Sequence, residues 1–178
     1  MKRKTFFEWK VIAQASKEID FDIMKAMRPV MVGKRRVMEN LDDLTMGQML
    51  TLSGCDDSWT LFYLVCHELL GMDEQEVNEA DAAQVVLFVG WVSKQIDGYN
   101  KMLGKIHSTK TAEEIRAGVE KLDFGAFGLV DWYAKRMGIV NHDDVMSVPF
   151  LRVYQCLKMD VEREEYEKRL AKIYRSNK

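Results

Sequence analysis

From Val85 to Ile106 apolar residues return every three or four positions, through Phe88, Val89, Val92, Ile96, Tyr99 and Leu103. That spacing draws one continuous stripe along a helix and predicts a long core element, opened by Asn78 or Asp81. Phe88 and Val92, mid-stripe, are expected to be buried. Shorter helices are predicted on both sides of it. Thr45-x-x-Gln48 has the form of a capping box, with Met46, Met49, Leu50 and Leu52 behind it and Gly54 as a stop. Ser58 is placed to cap Trp59–Leu70, where Leu61, Leu64, Val65 and Leu69 recur at helical spacing and Gly71 sits at the exit.

Beyond the long stripe, Thr111-x-x-Glu114 is a second capping box, with Ile115, Val119 and Leu122 after it. Phe124–Met137 reads as the next helix, ended by Gly138. Ser147 is expected to cap the last one, with Pro149 in its first turn, where a missing N–H is harmless. Phe150, Tyr154, Leu157, Val161, Leu170 and Ile173 make its apolar side, and Glu164–Lys168 and Glu165–Arg169 are favourable i,i+4 pairs outside. The first forty residues stay open. Thr5, Phe7, Trp9 and Val11 alternate as in a strand, while Phe6, Trp9 and Ala13 suit a helix.

These elements predict an all-α fold: a helical bundle that can divide into two small lobes, with an N-terminal strand or arm undecided. The expected parts are a basic N-terminal 1–40, an acidic helical lobe 41–107 and a C-terminal lobe 111–178 ending in a long helix. Gly104–Lys110 is the expected hinge. At 178 residues the chain can bury a core without disulfides or metal. Cys55, Cys66 and Cys156, odd in number and widely spaced, read as reduced intracellular thiols. The longest apolar run, Val85–Val92, is far short of a membrane span. Met1-Lys-Arg-Lys resembles the start of a signal peptide, but Glu8 and Lys10 interrupt the apolar stretch behind it, so a cytosolic origin is expected.

Charge changes the picture more than composition does. Between Leu41 and Ser93 stand ten acidic residues and no Lys or Arg, although the net charge of the whole chain is only −2. The N-terminal forty residues carry ten Lys/Arg against five acids. Such segregation suits docking between copies or onto a charged partner, because complementary patches steer and register contacts. Lys34, Arg35 and Arg36 form the densest basic cluster. With Asp73, Glu74 and Glu76 from the acidic window they are the candidate protein-interface residues, the cluster of one copy facing the window of the next. Methionines on expected turns (Met24, Met27, Met31 and Met38) would add adaptable contact surface.

Chemistry is harder to find. His67, His107 and His142 are isolated, so no metal site is expected. Cys66 lies mid-helix among Phe62, Tyr63 and Leu69, which describes a buried, inert thiol. Asp56-Asp57 and Asp143-Asp144 could pair as catalytic carboxylates, yet each precedes a predicted helix, where acids complement the helix dipole. Asp123-Phe-Gly lacks the partners a kinase needs, and no phosphate-binding Gly loop occurs. No catalytic residue and no cofactor is predicted. Nucleic acid is an unlikely partner at a pI near 6.0 without aromatic interleaving in the basic cluster.

Leu41-Asp-Asp-Leu-Thr-Met-Gly-Gln-Met-Leu-Thr-Leu52 resembles the LTVGQF-type opening of tailed-bacteriophage tail assembly chaperones. In those proteins a helix, an acidic LLG…EEV turn and a long apolar helix come next. Here His67-Glu-Leu-Leu-Gly-Met-Asp-Glu-Gln-Glu-Val77 and Ala82–Ile106 stand in that order. Gly138 through Asp144-Val-Met-Ser-Val-Pro-Phe150 to Tyr174 is similar to the end of small phage neck and tail proteins. The resemblance rests on packing and capping motifs and assigns no functional residue. It implies a non-enzymatic structural or assembly protein acting by protein–protein contacts: a neck or tail ring or connector component, or a tail assembly chaperone. Its partners would be itself or other neck and tail proteins, in the host cytoplasm during assembly or in the virion. The alternatives are a nucleic-acid-associated regulator or packaging factor using the basic N-terminus, and an enzyme with an unrecognised carboxylate site.

Overall fold

The computed structural model describes residues 4–16 and 27–176, so Met24 falls outside it. The fold is all-α. Among the described residues there are nine α-helices, one 3-10 turn and a two-stranded hairpin. They gather into two compact units, each drawn from two stretches of chain: Met1–Leu41 with Thr51–Tyr99, and Asp42–Leu50 with Asn100–Lys178. One boundary falls after Leu41, beside that expected at 40, and the others fall after Leu50 and Tyr99 instead of at 107 and 111. Residues 42–50 join the C-terminal half because main chain holds them there. The Met46 N–H donates to the Val148 carbonyl, and the Phe150 N–H to that of Leu44 at 2.7 Å.

In the first unit the undecided N-terminus is a helix, α1 (Phe6–Ser16). Thr5 and Glu8 cap it reciprocally, Glu8 N–H donating to Thr5 Oγ1 and Thr5 N–H to Glu8 Oε2. The alternation of Thr5, Phe7, Trp9 and Val11 therefore marks no strand beyond the single bridge of Thr5 to Asp81. The strands lie further on, β1 (Met31–Val32) and β2 (Arg35–Arg36), joined by Gly33 at φ +56°, where a side chain would be strained. Phe6, fully buried, anchors an aromatic nucleus with Trp9, Phe62 and Tyr63, its ring 5.1 Å from Phe62.

Phe62 and Tyr63 belong to α3 (Ser58–Leu70), capped by Asp57 rather than Ser58, since the Asp57 carboxylate accepts from Thr60 N–H at 2.6 Å. Gly71 ends α3 in the left-handed conformation, as expected. Next come α4 (Glu74–Glu79) and α5 (Ala82–Gly104), the latter opened by Asp81, whose carboxylate accepts from Ala83 and Gln84 N–H. Phe88 and Val92 on α5 are fully buried. A relay of Lys10 to Tyr63 Oη and Tyr63 Oη to Asn78, each 2.9 Å, ties α1, α3 and α4.

The second unit begins with Thr45 and Gln48 capping α2 (Met46–Ser53), as predicted. Gly47 sits close against Met146: a Cβ there would meet the Met146 carbonyl oxygen at 3.1 Å, so Met146 would have to give by a few tenths of an ångström. After α5 come α6 (Ala112–Ala117), boxed by Thr111 and Glu114 as expected, and the 3-10 turn Val119–Lys121. The remaining helices are α7 (Gly125–Met137), α8 (His142–Met146) and α9 (Phe150–Ser176). Ser147 closes α8 instead of opening α9, its N–H reaching the Asp144 and Val145 carbonyls. Pairing of Thr45 with Pro149 holds the start of α9 in its place. Leu44, Met46, Met49, Val130, Tyr133, Val145, Phe150 and Val153 form this unit's core.

Candidate interaction surfaces

Folding puts the six candidate interface residues on the first unit and partly neutralises them within the chain. The hairpin lifts Lys34, Arg35 and Arg36 into solvent. Arg35 then bends to Glu76, its guanidinium 3.2 Å from the carboxylate. These two were expected on opposite copies, and they meet inside one. Asp73 and Glu76 are also a capping box: Glu76 N–H donates to Asp73 Oδ1 at 2.8 Å, and Asp73 N–H to Glu76 Oε2 at 3.2 Å. Glu74 is exposed and makes no such bond among the described residues. With Glu79 and the exposed Phe7 it borders an open concavity that also touches Thr5, Gln75 and Asn78.

The second unit holds a surface that residue patterns did not single out. The loop 105–111 is lashed to α9 by Lys168. Its ammonium lies 2.7 Å from Glu164, from Ser108 Oγ and from the Thr109 carbonyl. Glu165 accepts from both the N–H and the hydroxyl of Thr109, and does not form the expected pair with Arg169. These bonds hold the carboxyls of Glu164 and Glu165 below the ordinary value, Lys168 acting most on the first and the Thr109 N–H on the second. Beside this lashing runs an open groove of about 760 Å³ between the start of α6 and the last turns of α9. Five cations line it, Lys110, Lys168, Arg169, Lys172 and Arg175, against two acids, Glu113 and Glu165. The hairpin concavity, by contrast, has Lys34 and Arg35 against Glu76 and Glu79.

Apolar surface is exposed on the same unit. Leu122, Phe124 and Phe127 are 63%, 70% and 60% exposed, with Ile115 half-exposed nearby in sequence. The Phe127 ring also lies 5.1 Å from that of His142, tilted by 44°, and His142 reaches Asp131 at 3.3 Å. Hydrogen bonds from Lys135 first and His142 second hold the Asp131 carboxyl below its usual range. Other chemistry is structural. Burial pushes the Cys66 thiol up to about 12, so it is unreactive near neutral pH. Asp57 and Asp143 serve helix starts, Asp57 as the cap of α3 and Asp143 in the first turn of α8. An apolar pocket of about 220 Å³ lies between α3 and α5, lined by Leu61, Phe62, Val86 and Val89 with Ser58 and Ser93 at its edge. Among the described residues no cluster of three or more His, Cys, Asp or Glu could hold a metal ion, and no helix is long and apolar enough to cross a membrane. Compared with family models, curated proteins and solved structures, the chain matches none.

Proposed function

We propose that this chain is a non-enzymatic structural or assembly protein of a tailed bacteriophage, acting through protein–protein contacts as a neck or tail ring or connector component, or as a tail assembly chaperone. The phage assignment rests on the resemblance of 41–52, 67–77 and 138–174 to such proteins. The observation that carries the contact role is the exposure of Leu122, Phe124 and Phe127 within one short stretch. Three large apolar side chains left in water cost solvation that a partner's surface would recover, and contiguous exposed apolar patches mark interaction sites. Its place of action is the host cytoplasm during assembly, and in the ring or connector case the virion.

The test is sedimentation of the purified chain, alone and mixed with neck and tail proteins of its phage, beside the variant Leu122→Ser/Phe124→Ser/Phe127→Ser. Complexes that form with the wild type and dissolve with the variant are expected. A chain that ignores every such component, or a variant that binds as well as wild type, would overturn the reading. Salt separates it from the nucleic-acid alternative. Apolar docking persists as salt rises, whereas binding to DNA falls log-linearly.

A further inference from the structure

We propose that the groove at the end of α9 receives a second copy of this chain, through the patch formed by Phe7, Glu74 and Glu79. The inference rests on the protein–protein reading above and gives it a partner and a pair of faces.

On the receiving side the acids are already engaged. Glu165 is held by Thr109, and Glu113 pairs with Arg116 at 3.6 Å. Lys168 is saturated by Glu164, Ser108 and Thr109, and Lys110 is paired with Glu120. Arg169, Lys172 and Arg175 remain exposed, with no hydrogen bond or ion pair among the described residues. Their spacing of three keeps them along one side of the helix. Ala112 and Ala171 line the groove with methyl groups instead of long side chains.

On the inserting side Phe7 is 56% exposed on α1. Among the described residues Glu74 has no partner, and Glu79 accepts only from the neutral amide of Gln75 at 2.9 Å. Two carboxylates without a cation among the described residues thus border an exposed aromatic ring. A ring between acids fits an alanine-lined groove rimmed by cations, in apolar content and in sign. Nucleic acid fits the groove less well, because its lining offers alanine methyls to an apolar side chain and no aromatic ring on which a base could stack. Since the two faces differ, the contact is heterologous, and repeated it closes a ring or extends a filament.

The experiment is sedimentation velocity of the full chain at low and moderate salt. The groove variant is Arg169→Glu/Lys172→Glu/Arg175→Glu, and the patch variant is Glu74→Lys/Glu79→Lys. Wild type is expected to associate at low salt. Each variant alone should be monomeric with unchanged circular dichroism, and an equimolar mixture of the two should associate again, because each restores the other's missing complement. Should a reversal variant unfold, Lys172→Gln/Arg175→Gln replaces it and is expected to lose association as well. A monomeric wild type, variants that associate normally, or a silent mixture would each overturn the inference. A monomeric wild type that binds a DNA duplex, with binding lost in the groove variant, would make the groove a nucleic-acid site instead. If the mixture is silent but a neck or tail protein still binds through Leu122, Phe124 and Phe127, only this inference falls.

Discussion

The two units use their apolar residues in opposite ways. Of the thirty buried apolar residues among those described, twenty-one belong to the first unit and nine to the second. Of the fifteen large apolar residues left exposed, ten belong to the second. Their charges differ in the same sense. Arg35 is spent on Glu76 within the first unit, while Arg169, Lys172 and Arg175 on the second have no partner among the described residues. The lesson is a division of labour inside a small chain. One unit converts apolar side chains into stability, and the other holds a thin core steady with polar lashings and keeps both apolar and cationic groups for contact.

The largest effect that bears on this contrast is a matched pair of truncations. Phe88→Ala, at a fully buried site in the first unit, should cost about 3–5 kcal/mol through transfer and cavity terms. Phe124→Ala, at an exposed site in the second, should stay within roughly 0.5 kcal/mol. Chemical denaturation measures both, and equal costs would erase the contrast.

Phe124 is still positioned, which a smaller effect should reveal. A Cβ at Gly128 would lie 2.7 Å from that of Phe124, so Gly128→Ala must shift the backbone of α7 or of Phe124. About 1–3 kcal/mol of destabilisation is expected, read as a lowered Tm. A neutral outcome would mean that Phe124 is loosely held. Next come the caps. Thr5→Ala on α1 and Thr111→Ala on α6 should each cost about 1 kcal/mol, one box per unit. If only the second loss is felt, α1 is not part of the first unit's cooperative fold.

The smallest effect is acid sensitivity, which should be concentrated in the second unit. There the carboxyls of Glu114, Glu164 and Glu165 all lie below the ordinary 4.5. Folded values below unfolded ones mean that the stabilisation is complete above about pH 4.5 and is lost as pH falls through the depressed values. The groups are largely water-exposed, so the slope is shallow. Hydrogen exchange across that range should open the 105–114 segment before the middle of α5; the reverse order would contradict the assignment.

Much of the fold was legible because its signals are local. The α5 stripe, the boxes at Thr45 and Thr111 and the stops at Gly71 and Gly138 need only neighbours in sequence. Thr5-x-x-Glu8 carries the same signal, but the strand-like alternation running through it hid the helix. The hairpin of Met31–Arg36 is too short to show a period. Adjacent candidates misled the caps: Asp57 stands beside Ser58, and Ser147 lies near enough to α9 to be read as its start. The surfaces were less legible. Lys34-Arg35-Arg36 stands out by density, whereas Arg169, Lys172 and Arg175 are interspersed with other residues, and Arg169 reads as the partner of Glu165. Only tertiary structure tells which charges are spent, and adjacent Lys168 and Arg169 differ entirely in that respect. Phe7 joins Glu74 and Glu79 only because α1 packs on α4.

Hydrogen–deuterium exchange of the full chain, as dilute monomer and as assembled or partner-bound complex, tests the division of labour most directly. The predicted result is new protection on the second unit, at 115–127 and in the last turns of α9, joined in a self-assembled complex by the Phe7 and Glu74–Glu79 patch, with the 31–36 hairpin unchanged. Protection that appears at the hairpin while both second-unit surfaces exchange as in the monomer would contradict it.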